Sequence, residues 1–138
     1  MASNFKLGTA GRNAGVNAIT ALLNGGRMEL RVGSPPTNVS DASSGTLLAT
    51  LTFNATAAGS ASSGTGTFNS ITSDTNVDAS GDVGYFRAYA SGGGDTAAIF
   101  QGTAGESGDT PDMTFDEKSF VAGGTAAITS LTLSIPVQ

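Results

Sequence analysis

The clearest alternation of apolar and polar positions lies in Asn17–Phe53, NAITALLNGGRMELRVGSPPTNVSDASSGTLLATLTF. Together with Val16 just before it, Ile19, Leu22 and Leu23 fall on a single stripe, which predicts an amphipathic helix over residues 12–24. Asn13 is a candidate cap for its start, and Gly25 its C-terminal stop. A helix of about three turns is not stable alone, so the stripe must lie on a sheet or a partner. Arg27–Val32 then alternates strictly. Met28, Leu30 and Val32 face one way and Arg27, Glu29 and Arg31 the other, as in a half-buried antiparallel strand with one wet or partner-facing side. Gly33 to Gly45 is too long for a tight hairpin and is stiffened by Pro35 and Pro36. It is expected to cross between sheets or stand out from the body. Thr46–Phe53 forms the next strand, with Leu47, Ala49, Leu51 and Phe53 on one face and Leu48, Thr50 and Thr52 on the other.

Shorter alternations follow at Thr67–Thr72 and Val83–Ala90. A Gly-rich turn at residues 91–95 joins the latter to Ala97–Gly102 as a predicted hairpin. Asp112–Phe115 and Ser119–Ala122 read as short strands or irregular edges. Thr125–Val137 has the longest clean alternation and is expected to be a core strand stopped by Pro136. The total is about seven to nine short strands between Gly-rich turns, the pattern of an all-β protein: an antiparallel β-sandwich or jelly roll with one short N-terminal helix. Residues 1–11, with Phe5 and Leu7 alternating against polar neighbours, read as an N-terminal arm, and residues 12–138 as a single β-sandwich domain.

Val83–Ala90 also carries a candidate binding feature. Tyr85, Arg87 and Tyr89 share one face, and aromatic residues with arginine are the usual anchors of protein interfaces. If Phe86 points into the core, this face points out. The competing reading buries both tyrosines, with their hydroxyls at the rim.

Composition narrows the chemistry. Gly, Ala, Ser and Thr fill over half of the 138 positions, and only 12% of residues are charged. Such a surface suits protein contact, since immobilising long charged side chains costs entropy. The net charge is −5 and the six basic residues are scattered, so no patch is present to neutralise phosphates and direct nucleic-acid binding is not expected. No apolar run suits a signal peptide or a membrane span.

With no His and no Cys, the commonest general base, the Ser-His-Asp triad and thiolate metal sites are ruled out. Paired carboxylates remain conceivable, but most acids sit in loops where solvation is the default. Asp74–Asp82 resembles the start of a calcium loop, yet Ala79 stands at the sharp-turn glycine position and Tyr85 where a closing Glu is needed. An Asx-rich turn is the expectation there. The chain therefore reads as a non-enzyme with no catalytic residue, metal or cofactor.

The segment from Ile19 to Phe53 resembles small virion proteins of tailed bacteriophages, in which a short helix leads into a strand, a loop and an L-L-A-x-L-x-F strand. Ala55–Gly66, Ile71–Asp74, Gly84–Ala88 and the stretch from Val121 to Leu133 agree with it. Within that group, size and strand content are similar to the jelly-roll head cement, or decoration, proteins, of the kind carried by a Bordetella podophage. The resemblance implies a structural protein on the outer capsid surface of the virion, made in the host cytoplasm. Such a protein clamps the major capsid protein shell against internal DNA pressure, often as a homodimer. It implies a surface and no ligand site. Candidate contact residues are Phe5, Leu7, Arg27, Arg31, Pro35, Pro36, Tyr85, Arg87 and Tyr89. The competing function is a tail or head-fibre domain that binds a host surface glycan.

Overall fold

A computed structural model describes residues 4–137. They form a mainly β fold with one helix: α1 (Thr9–Leu22), β1 (Arg27–Arg31), β2 (Leu47–Thr52), β3 (Thr65–Thr67), β4 (Gly81–Asp82), β5 (Tyr85–Tyr89), β6 (Phe100–Gly105), β7 (Met113–Thr114), β8 (Ser119–Phe120) and β9 (Thr132–Ser134). A five-stranded sheet has the order β2-β1-β5-β6-β7, and the pairs β3-β9 and β4-β8 make two small sheets. The predicted hairpin is present as β5 and β6, antiparallel with Tyr85 opposite Thr103 and Phe86 opposite Gly102. β7, however, joins β6 in parallel, so the large sheet is mixed. A 3-10 turn at Ser107–Asp109 folds the chain back between them, with Thr110 in the left-handed region at φ 52°.

The two faces of the large sheet follow from its register. Met28 pairs with Leu51 and Ala88, and Leu30 with Ala49 and Phe86, so one face is apolar across three strands. These residues are buried together with Phe53, Phe68, Val77 and Val83. Leu48 was expected on the opposite face. The register slips between Leu30 and Arg31, as at a bulge, and Leu48 is fully buried in the same core.

Four other expectations need correction. The helix starts at Thr9, so among the described residues only 4–8 remain as arm. No side chain caps it; the Arg12 guanidinium holds the first turn instead, donating to the carbonyls of Ser63 (3.1 Å) and Ile135 (3.4 Å). Asn13 accepts from the Gly64 N–H at 2.7 Å rather than capping. The buried stripe is Arg12, Val16, Thr20 and Leu23, while Leu22 is 55% exposed. The stripe is rotated because α1 lies on β3, where Gly66 leaves room for Val16: a Cβ there would stand 2.8 Å from Val16 Cγ1. Last, Thr125–Val137 is not a long core strand. Its one strand is Thr132–Ser134, paired with the equally short β3 and exposed or half-buried, and Ala126 adds a single bridge to Asp74.

Candidate functional site

The polar face of the large sheet is the most organised part of the molecule. Cross-strand pairing places Arg27 beside Tyr89, Glu29 beside Arg87, and Arg31 beside Tyr85. On the next strand Gln101 lies opposite Arg87. All the odd-numbered polar residues of β1 and β5 therefore share one face.

That face is not open to solvent: of the two readings, the one that buries Tyr85 and Tyr89 holds, and the outward-facing Tyr85, Arg87 and Tyr89 interface is corrected. All three are 0% exposed, and Glu29 is 7% exposed. Their cover is the loop from Gly33 to Gly45, which lies back over the sheet instead of standing away from it. The Arg87 guanidinium donates to the Val39 carbonyl, to Ser43 Oγ at 2.8 Å and to the Asp95 carbonyl at 3.3 Å. The Tyr85 hydroxyl brackets Ser44, accepting from its N–H at 3.1 Å and donating to its carbonyl. Gln101 Nε2 donates to the Pro36 carbonyl at 2.7 Å, so Pro35 and Pro36 are half-buried. Arg31 donates to the Gly45 carbonyl at 3.2 Å, where the loop rejoins the sheet.

Asp95, from the turn between β5 and β6, closes the far side. Its carboxylate accepts from the Ser43 N–H at 2.7 Å, from Ser43 Oγ and from the Tyr89 hydroxyl at 3.2 Å, and it lies 3.8 Å from Arg87. The Ser43 hydroxyl, then the Ser43 N–H, hold this carboxyl below the usual carboxylate range. Burial pushes the Tyr89 hydroxyl up. Glu29 sits between Arg31 at 3.1 Å and Arg27 at 3.6 Å, and Arg27 stacks 4.1 Å from the Tyr89 ring centre. Charge on this face is thus paired, and most donors end on loop carbonyls. Chemically it is a clamp: the Ser43 hydroxyl donates to a carboxylate of lowered basicity and accepts from the Arg87 guanidinium. Most of these donors hold the loop shut, while Arg27 ties down the turn at Gly93 and Arg31 also donates to Glu29.

The reading from sequence put Arg27 and Arg31 on one strand face and Tyr85, Arg87 and Tyr89 on another, but it did not join the two faces and did not find Ser43, Ser44, Asp95 and Gln101. The available clue was the phase of the alternation. Two adjacent strands with polar residues in step need a polar cover, and a thirteen-residue loop can supply one. Phe5 and Leu7 lie elsewhere, in the arm, and are 49% and 37% exposed.

Asp74, Asp78 and Asp82 diverge. Asp74 accepts from the N–H groups of Thr50 (2.9 Å) and Asn76 (2.9 Å), the latter an Asx turn. Asp82 accepts from the Ser119 hydroxyl at 2.6 Å. Among the described residues no three acidic side chains converge as metal ligands, and no helix is long and apolar enough to cross a membrane.

On the apolar side of the sheet a cleft of about 650 Å³ opens between β7 and the segment from Ala127 to Leu133. Phe86, Phe100, Phe115, Ile128 and Leu133 line it, with Asp112 and Asp116 at its exposed margin. Comparison with protein-family models, curated proteins and solved structures finds no match to this chain.

Proposed function

We propose that this chain is a structural virion protein, a capsid cement or decoration subunit of a tailed bacteriophage. It binds the outside of the major capsid protein shell, self-associates as a homodimer and stabilises the shell against internal DNA pressure. In this reading the five-stranded sheet and the small sheets are the leaves of a jelly-roll β-sandwich. The resemblance of Ile19–Phe53 to small virion proteins supports the assignment. The structural observation that carries it is the clamp, in which the fully buried Arg87 ties down the long loop. A subunit bearing mechanical load gains from loops that do not open locally. A surface poor in charge binds through apolar area and backbone pairing, and many symmetric copies multiply a modest contact by avidity. The competing glycan-binding reading is weakened because Tyr85 and Tyr89, the only tyrosines, are buried and cannot stack on a sugar.

The test is mass spectrometry and cryo-electron microscopy of purified DNA-filled heads. The expected result is density for this chain on the outer shell. Absence from filled heads, or presence only on tails, overturns the assignment.

A further inference from the structure

The cleft is bounded by two strands that each lack a partner on one side. Among the described residues β7 pairs only with β6, and β9 only with β3. An unpaired strand edge is a template for another extended segment. The volume of about 650 Å³ lies within the range of sites that enclose a ligand, roughly 300–1,000 Å³. Its lining is mixed, with Phe86, Phe100, Phe115, Ile128 and Leu133 set among hydroxyl side chains, and its margin carries Asp112 and Asp116 and no Lys or Arg. Asp112 already accepts from the Thr103 N–H and hydroxyl at 2.9 and 3.0 Å. Asp116 has no hydrogen bond or ion pair among the described residues.

The arm has the complementary pattern. Residues 5–8 are neither helix nor strand, and Phe5 and Leu7 are exposed on either side of Lys6. All four arginines donate to backbone carbonyls, and Lys118 pairs with Asp109 at 3.0 Å. Lys6 is the one cation with no partner among the described residues. No arm residue lines the chain's own cleft. The base of the arm nevertheless lies at the same end of the molecule, because Arg12 donates to Ile135, two positions beyond the lining residue Leu133.

We propose that Asn4–Gly8 of one copy docks as an added strand in the cleft of a second copy, reciprocally, giving a closed two-fold dimer. Phe5 and Leu7 meet the phenylalanine and isoleucine side chains of the groove. Lys6, on the opposite side of an extended strand, reaches Asp116 at the margin. Exchange of identical arms satisfies both clefts at once and leaves no open end. This deepens the self-association in the function proposed above but needs no capsid.

Sedimentation velocity on the purified chain tests it, with a variant lacking residues 1–8 and a cleft variant, Thr114→Trp. Thermal melts check folding, and Ser130→Trp replaces Thr114→Trp should that fail to fold. The full chain is expected to dimerise with concentration, and each variant to be monomeric. An equal mixture of the two should form a one-to-one dimer, because one supplies the arm and the other the cleft. Phe5→Ser should weaken the dimer by about tenfold or more. Lys6→Glu should weaken it by about threefold, with recovery when combined with Asp116→Lys. The proposal is overturned by a monomeric full chain, a dimeric arm-less variant, no complex in the mixture, or no recovery in the double charge swap. It is also overturned if arm removal lowers the melting temperature with no change of mass, which would place the arm in its own cleft. Since no capsid is present, failure here and failure of the head-localisation test are separate results.

Discussion

Arg87→Met tests whether the clamp holds the loop. Arg87 is 0% exposed, and three hydrogen bonds end on it: the Val39 carbonyl, Ser43 Oγ and the Asp95 carbonyl. A hydrogen bond to a charged group contributes about 1.5–3 kcal/mol, so the three could exceed 4 kcal/mol taken separately. Two effects reduce this. The ion pair with Asp95 adds little, because that side chain is 44% exposed. If the loop opens, its carbonyls are rehydrated, and the loss cannot exceed the free energy that held the loop closed. The expected loss is about 3 kcal/mol, at the low end for removing one partner of a buried charge pair. For a chain of this size that is roughly 10 °C in Tm. Urea unfolding gives the global value, and native-state hydrogen exchange at residues 36–46 reports the loop. Arg31→Met is the control. Its side chain is 16% exposed, donates to one loop carbonyl and also pairs with the buried Glu29, which keeps Arg27, so a global loss of about 2 kcal/mol is expected with the loop amides still protected. A loss below about 1 kcal/mol for Arg87→Met, with loop amides still protected, would refute the argument.

The carboxyl of Asp95 is lowered chiefly by the Ser43 hydroxyl. Its stabilisation is therefore complete above the ordinary carboxylate value of about 3.9 and is lost as pH falls through the lower folded value. Asp95→Asn should flatten the acid limb of urea midpoint against pH, and an unchanged limb would remove Asp95 from the linkage. Gly45 has φ +74°, and a Cβ there would lie 2.0 Å from the Val32 carbonyl oxygen, whereas Gly92, at φ +72°, faces open space. Gly45→Ala should cost clearly more than the roughly 1 kcal/mol expected of Gly92→Ala, measured by chemical denaturation. Leu23→Ala, at 0% exposure, should cost about 2–5 kcal/mol. Leu22→Glu, at 55% exposure, should stay within about 0.5 kcal/mol, and equal losses for the two would contradict the observed helix face.

Where local pattern and tertiary packing agree, the sequence was enough. Arg27–Arg31 and Leu47–Thr52 were legible as strands because one face meets the core, although the register slip that buries Leu48 was not. The β5–β6 hairpin was legible from its Gly-rich turn. The helix face was misread because Arg12 and Thr20, both polar, occupy buried positions: Arg12 by reaching loop carbonyls, Thr20 by donating to the Val16 carbonyl at 3.1 Å. Residues 125–137 misled for a different reason. Alternation predicts a strand only if a partner of equal length exists, and β3 offers three residues. The clamp was half legible. Its strand residues share a period that can be read, but its loop residues, Ser43 and Ser44, are recognised only once the loop's path is known.

The clamp also explains how so small an apolar inventory can specify one sheet register. One face of the large sheet is covered by the core, and the other by a loop whose carbonyls lose water when it closes. Covering that face with apolar side chains would leave those carbonyls without donors, at a cost of about 1–3 kcal/mol each. Arginine solves this with few residues, since its planar fork carries five N–H donors. Arg87 alone serves Val39, Ser43 and Asp95. The same arrangement penalises the wrong pairing. A slip of one residue of β5 against β1 would turn Arg87 into the core on the side of Phe53 and Leu51, and Phe86 onto the loop, while β1 keeps its face through β2. Burying unpaired charge costs far more than misplacing a methyl group. Register is therefore set by the polar face as firmly as by the apolar one. That accounts for strands of five and six residues, in a chain dominated by small side chains, pairing in a single way.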